Sequence, residues 1–103
     1  MRIIDATKFT GAAAWDALDV ESIDGATVRL HWTDQPYRWH VNDGPEVFVV
    51  LDGEVDMSVR QDGAVETHRL TPGLIFHAEL GDEHVATPVG TARVLVVERR
   101  GSV

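Results

Sequence analysis

The chain has 103 residues, a net charge of −8 from 17 acidic and 9 basic side chains, and no cysteine. That length suits one domain with a single core, and the acidic balance makes phosphate backbones and anionic headgroups poor partners, so neither nucleic acid nor membrane binding is expected. Without cysteine there are no disulfides, thiolate metal sites or cysteine nucleophiles. Apolar residues at 44% and charged ones at 25% are the balance of an ordered globular protein. The N-terminal stretch carries no apolar run of the length a signal peptide or membrane span needs, so cytoplasmic residence is expected.

Residues 1–25 are expected to form an N-terminal strand and helix arm packed on a barrel of residues 26–103. In that arm, residues 2–4 read as a short strand. Thr10 precedes Gly-Ala-Ala-Ala-Trp-Asp-Ala-Leu and reads as the cap of one or two helical turns, because alanine gives up little entropy in a helix. Residues 22–25, Ser-Ile-Asp-Gly, are a turn signal. From residue 26 the chain reads as strands. Ala26–Thr33 alternates Val28, Leu30 and Trp32 with Arg29, His31 and Thr33, and residues 54–60 alternate Val55, Met57 and Val59 with Glu54, Asp56 and Ser58. Both are period-two patterns of half-buried strands.

Residues 47–51 and 94–97 are apolar on both faces, as expected for strands covered on each side. Residues 65–69, Val-Glu-Thr-His-Arg, read as a polar strand with His68 on the surface. Asp52-Gly53, Gln61-Asp62-Gly63, Thr71-Pro72-Gly73 and Pro88-Val89-Gly90 lie between the runs and supply turn chemistry. The count of about eight short strands is that of an all-β sandwich or barrel.

The candidate chemistry lies in the five histidines and their neighbours. His40 and Asn42 are two apart, so on a strand they share a face. Glu46 follows the turn-like Asp43-Gly44-Pro45 and opens an apolar strand, where an ionised carboxylate is costly unless paired or metal-bound. His84 comes much later, after Gly81-Asp82-Glu83. If these strands neighbour one another, two imidazoles, a carboxylate and an amide converge inside the barrel. Imidazole and carboxylate suit iron, manganese, nickel, cobalt or zinc, and two histidines with one carboxylate form the usual arrangement for oxygen-activating iron. Trp15, Trp32, Trp39, Tyr37 and Phe48 read as core or subunit-face residues, and Asp43 and Asp56 as turn and solvated-face residues.

Two stretches carry a family pattern. The first is Trp39-His40-Val41-Asn42, three residues, Glu46, six residues, Gly53. The second runs from Gly73 through Glu79 and Gly81 to His84. Their spacing resembles the two motifs of the cupin superfamily, over residues 26 to 98. Asn42 stands at the second histidine of the family's His-x-His pair, Leu74 at an aspartate and Glu79 at a proline. The resemblance implies a double-stranded β-helix, a jelly-roll barrel, with His40, Glu46 and His84 as ligands of a divalent transition metal. Asn42 and His77 are then polar neighbours or weak ligands of the ion, with His31 a further substitute.

The resemblance also implies a homodimer, for which the edge near Ile3, Ile4 and Phe9 is the expected contact. Dioxygenase- or isomerase-like action on a small organic molecule is the implied chemistry. The alternatives are a barrel that binds a small ligand or metal without turnover, and a metal-free module acting as a dimer.

Overall fold

The computed structural model describes residues 1–102. A single 3-10 turn, Ala6–Lys8, precedes nine strands: β1 Asp16–Ile23, β2 Ala26–Thr33, β3 His40–Val41, β4 Glu46–Asp52, β5 Val55–Gln61, β6 Ala64–Leu70, β7 Ile75–Ala78, β8 Glu83–Pro88 and β9 Ala92–Arg99. All pair antiparallel, in one sheet of order β1-β2-β9-β4-β7 and another of order β3-β8-β5-β6. After β3 the chain passes back and forth between the sheets, the winding of a double-stranded β-helix, as expected. No helix among the described residues is long and apolar enough to cross a membrane.

The core forms between the inner faces. Alternate residues Phe48 and Val50 of β4, Val94 and Val96 of β9, and Val55 and Met57 of β5 meet there, buried. Of the intervening residues, Val47 and Val49 of β4 and Leu95 and Val97 of β9 are half-buried on the outer face, whereas Leu51, expected to be covered, is exposed where the β4–β9 register shifts between Val50 and Asp52. The N-terminal segment crosses that outer face. Arg93 of β9 ties it down, with Nε donating to the Phe9 carbonyl at 2.7 Å and a terminal nitrogen donating to Asp52 at 2.7 Å. Leu30 lies on the same outer face, paired with Leu95, and is only 1% exposed.

The first 25 residues depart from the sequence-based reading. Residues 2–4 form no strand, and the Gly-Ala-Ala-Ala run forms no helix. Three alanines cannot repay helix nucleation, and the Asp16 carboxylate instead accepts from the backbone N–H groups of Ala12 and Ala13, at 2.7 and 3.1 Å. The chain is bent there and then extends as β1, which pairs with β2 from Asp16↔Trp32 to Ile23↔Ala26. A boundary at residue 25 therefore falls in the β1–β2 hairpin turn, where Asp24 and Gly25 both take positive φ, 48° and 83°, the backbone of a type I′ turn. β1 belongs to the barrel.

Candidate metal centre and its cavity

β3 is only two residues long, and its register is what builds the site. His40 pairs with His84 and Val41 with Glu83. Asn42 extends this pairing: its N–H donates to the Asp82 carbonyl at 2.8 Å, and its carbonyl accepts from Gly81 N–H at 2.9 Å. The turn before β8 is thereby pinned beside β3, and the His40 and His84 rings meet edge-on with centroids 4.4 Å apart. Glu46 opens β4 on the facing sheet, with its side chain inward like those of Phe48 and Val50. The result is a group of one ligand atom each from His40, Glu46 and His84, all within 4.8 Å of one another. Glu46 is 7% exposed and His84 2%.

Hydrogen bonds define the state of each group. His40 Nδ1 lies 3.0 Å from the Arg38 carbonyl. A carbonyl only accepts, so Nδ1 carries a proton and Nε2 is the ring nitrogen left to face an ion. The Asn42 amide nitrogen donates to the Gly44 carbonyl at 3.2 Å and to Glu46 Oε1 at 3.3 Å. Its Oδ1 is thereby turned to His84 Nε2, 2.5 Å away, and so this nitrogen carries a proton. Glu46 Oε1 lies 3.2 Å from the same Nε2. Burial pushes the Glu46 carboxyl upward, but the hydrogen bond and charge of His84, with the Asn42 amide, outweigh it and hold the carboxyl below its usual range. Glu46 is ionised.

Two imidazoles, one buried and one half-buried, and a buried ionised carboxylate converge here and fit a first-row divalent ion. Two features oppose it. The ion has to displace the proton that Asn42 stabilises on His84. Among the described residues His84 Nδ1 is also buried without a partner, whereas a ligating histidine usually donates its other N–H to an acceptor. Both weaken binding; neither changes the donor set.

The other histidines are placed differently. His31, on the inner face of β2, holds the Trp15 carbonyl through Nδ1 at 3.0 Å. Burial lowers its pKa despite that bond, leaving a neutral ring that lines the cavity above the cluster but is not part of it. His77 is exposed on β7, on the face opposite Phe76 and Ala78; it is not brought to the cluster, because strand alternation turns it outward. His68 is exposed beside Glu66, as expected.

Over the cluster lies a cavity of about 230 Å³, walled by Trp15, Tyr37 and Phe48. Trp15 and Tyr37 were expected in the core or at a subunit face; the bend before β1 brings Trp15 here. Arg29 and Glu98 also line the cavity. Glu98 was legible in principle, since it continues the inward alternation of Ala92, Val94 and Val96. It pairs across the ladder with Glu46. Burial, then the charges of Glu46 and Asp43, push its pKa to about 7.

This shift has a testable sign. The unfolded chain ionises Glu98 near its ordinary 4.5 and the folded chain at about 7, so stability is lost as the pH rises through that window. Glu98 is half-buried, and solvent screening reduces the effect to about 1 kcal/mol. In chelator-treated protein, Glu98→Gln is expected to be neutral near pH 4 and to stabilise by about 1 kcal/mol near pH 8. Urea melts at the two pH values check this, and an equal gain at both would count against it.

No protein-family model matches the sequence, and no curated protein does. Solved structures do. A cupin-2 domain containing protein from Shewanella frigidimarina matches with a TM-score of 0.78 at 20% identity, over 91% of this chain and 87% of that one. A cupin superfamily protein from Desulfitobacterium hafniense matches with a TM-score of 0.76 at 12% identity, over 91% and 85%. The hydroxypropylphosphonic acid epoxidase from S. wedmorenis matches with a TM-score of 0.63 at 18% identity, over 72% of this chain and 43% of its own. At these identities the likeness concerns the fold, and it agrees with the strand order and the winding between sheets: this chain has a cupin-type β-barrel fold.

Proposed function

We propose that the protein is a metal-binding barrel in which His40, Glu46 and His84 hold a divalent transition ion beneath a cavity for a small organic molecule. The observation that carries this is the convergence of two imidazoles and an ionised carboxylate, Glu46 and His84 buried and His40 half-buried, with donor atoms within 4.8 Å, at the floor of an open cavity. An Fe(II) form of the enzyme HppE is among the solved structures of similar fold (TM-score 0.62, 18% identity), which supports iron as one of the ions to test beside manganese, nickel, cobalt and zinc. A bound ion of this kind polarises a ligand oxygen as a Lewis acid. The chain's own contribution is to keep Glu46 ionised, to fix the His40 tautomer through Arg38, and to keep water from the apolar sides of the cluster through Phe48 and Phe76.

Equilibrium dialysis of untagged protein against each ion tests the reading. One ion per chain is expected, with affinity falling at least ~10-fold in Glu46→Gln while circular dichroism stays unchanged. Absence of uptake at micromolar metal by the wild-type chain would sink the metal reading. The second reading is a metal-free, ligand-binding module. It is favoured by one observation, the Asn42 amide that already bridges His84 and Glu46. A homodimer remains part of the proposal, with Ile3 fully exposed at the N-terminal edge; gel filtration tests it.

A further inference from the structure

Arg29 is the only arginine or lysine among the described residues lining the cavity. Its place on β2, two residues from His31, puts it on the inward face. Among the described residues its one hydrogen bond uses Nε, to Asp19 at 2.7 Å, and the Asp19 side chain is 82% exposed. Such an exposed pair contributes little, and the two terminal amino groups of the guanidinium remain for another acceptor. A guanidinium edge matches a carboxylate in two parallel hydrogen bonds.

The same cavity has an aromatic wall, Trp15 and Tyr37, held under strain. Trp15 has φ 65°, the left-handed region, which is unfavourable for a residue with a Cβ. Such a conformation persists only where the surroundings over-determine it. Here the Asp16 carboxylate anchors the bend before it and His31 Nδ1–H holds its carbonyl. The strain sets the indole edge-on to Tyr37, with centroids 5.3 Å apart, and Tyr37 in turn edge-on to His40, also at 5.3 Å. Tyr37 is itself fixed, its N–H donating to the Ala86 carbonyl at 3.0 Å and its hydroxyl accepting from Arg38 at 2.9 Å.

We infer that the molecule taken by this cavity is a small carboxylate with a flat apolar body, its carboxylate received by Arg29 and its body lying against Trp15 and Tyr37. This rests on the reading of the cavity as a small-molecule site. The cavity of about 230 Å³ lies below the usual range for drug-sized ligands, which limits the body to about one ring. With a divalent ion at the floor, the positive charge of the ion and Arg29 exceeds the negative charge of Glu46 and Glu98, which favours an anion. A monoanion balances that excess, whereas a phosphonate dianion would leave uncompensated negative charge beside Glu46 and Glu98.

Calorimetric titration with benzoate, benzamide and phenylphosphonate tests this, in zinc-treated and in chelator-treated protein. Benzoate is expected to bind at least ~10-fold more tightly than benzamide and more tightly than phenylphosphonate. Arg29→Gln is expected to abolish the benzoate-over-benzamide preference, and Trp15→Leu to weaken both ligands alike, with melting curves confirming that each variant folds. Equal binding of benzoate and benzamide, a preference that survives Arg29→Gln, a preference for phenylphosphonate, or no benzoate binding at millimolar concentration overturns the inference. Zinc uptake without benzoate selectivity counts against this inference alone. Arg29-dependent selectivity without zinc uptake counts against the metal centre alone.

Discussion

Asn42→His is expected to raise zinc or cobalt affinity by about 100-fold, or close to 3 kcal/mol. Asn42 lies two residues from His40 and is buried against His84 and Glu46. Its amide acts against an ion in two ways. The Oδ1 atom stabilises a proton on His84 Nε2, the nitrogen an ion needs, and an amide oxygen is itself a poor partner for a late transition metal. An imidazole at the same place on the strand removes the first effect and replaces the second with a strong ligand.

Asn42→Ala separates the two contributions. It frees the His84 proton but adds no donor and leaves the buried Glu46 carboxylate with one hydrogen bond fewer, so a gain of less than ~10-fold is expected. Competition against a chelator of known affinity measures both variants. If Asn42→His gives no gain while its fold is intact, the amide is not what limits the site, and the partnerless Nδ1 of His84 becomes the remaining cause.

What the sequence showed of this site and what it concealed have different physical origins. Strand alternation and turn residues are local, and they placed β2 at Ala26–Thr33 and the apolar face of β5 correctly; the run of β9, apolar on both faces, did not show which face is inner. His40, Glu46 and His84 were legible because a two-residue period, a Gly-Pro turn and a glycine turn before His84 each leave a mark in the spacing. Asn42 was legible as a departure, but the direction of its amide was not. That direction depends on Gly44 and Glu46 accepting from one end, a fact of three-dimensional packing.

β1 was concealed for a different reason. It is an edge strand with little burial, so its one short alternation, Leu18 and Val20 against Asp19 and Glu21, is a weak mark, and a run of alanines before it imitates a helix start. With β1 hidden, the position of Trp15 was hidden too. β2 was located correctly, but alternation alone did not say that its charged face, Arg29 and His31, looks into the barrel. That follows from the N-terminal segment covering the opposite face, where Leu30 is buried.

Gly53→Ala is expected to cost about 3 kcal/mol or more, a fall in melting temperature of roughly 12 °C or more for a domain of this size. Gly53 ends the first motif, between β4 and β5, with φ 76°. A methyl group there would lie 2.3 Å from the Thr91 carbonyl oxygen and 3.0 Å from the Ala92 Cα. Both are backbone atoms and neither can swing aside as a side-chain end could. The cost therefore adds a backbone displacement to the ordinary penalty for an L-residue at positive φ. Gly63→Ala isolates that second part, because Gly63 has φ 79° with nothing within 4 Å of the added carbon, and about 1 kcal/mol is expected there.

The displaced backbone at Gly53 is the start of β9, which pairs with β4 across an irregular register between Val50 and Asp52 and reaches Glu46 at its far end. Gly53→Ala is thus expected to weaken metal binding as well as stability, and Gly63→Ala to leave metal binding unchanged. Urea melts and dialysis on the two variants decide the point. Equal stability losses in both would mean that the conformation of Gly53 matters and its close approach to Thr91 does not.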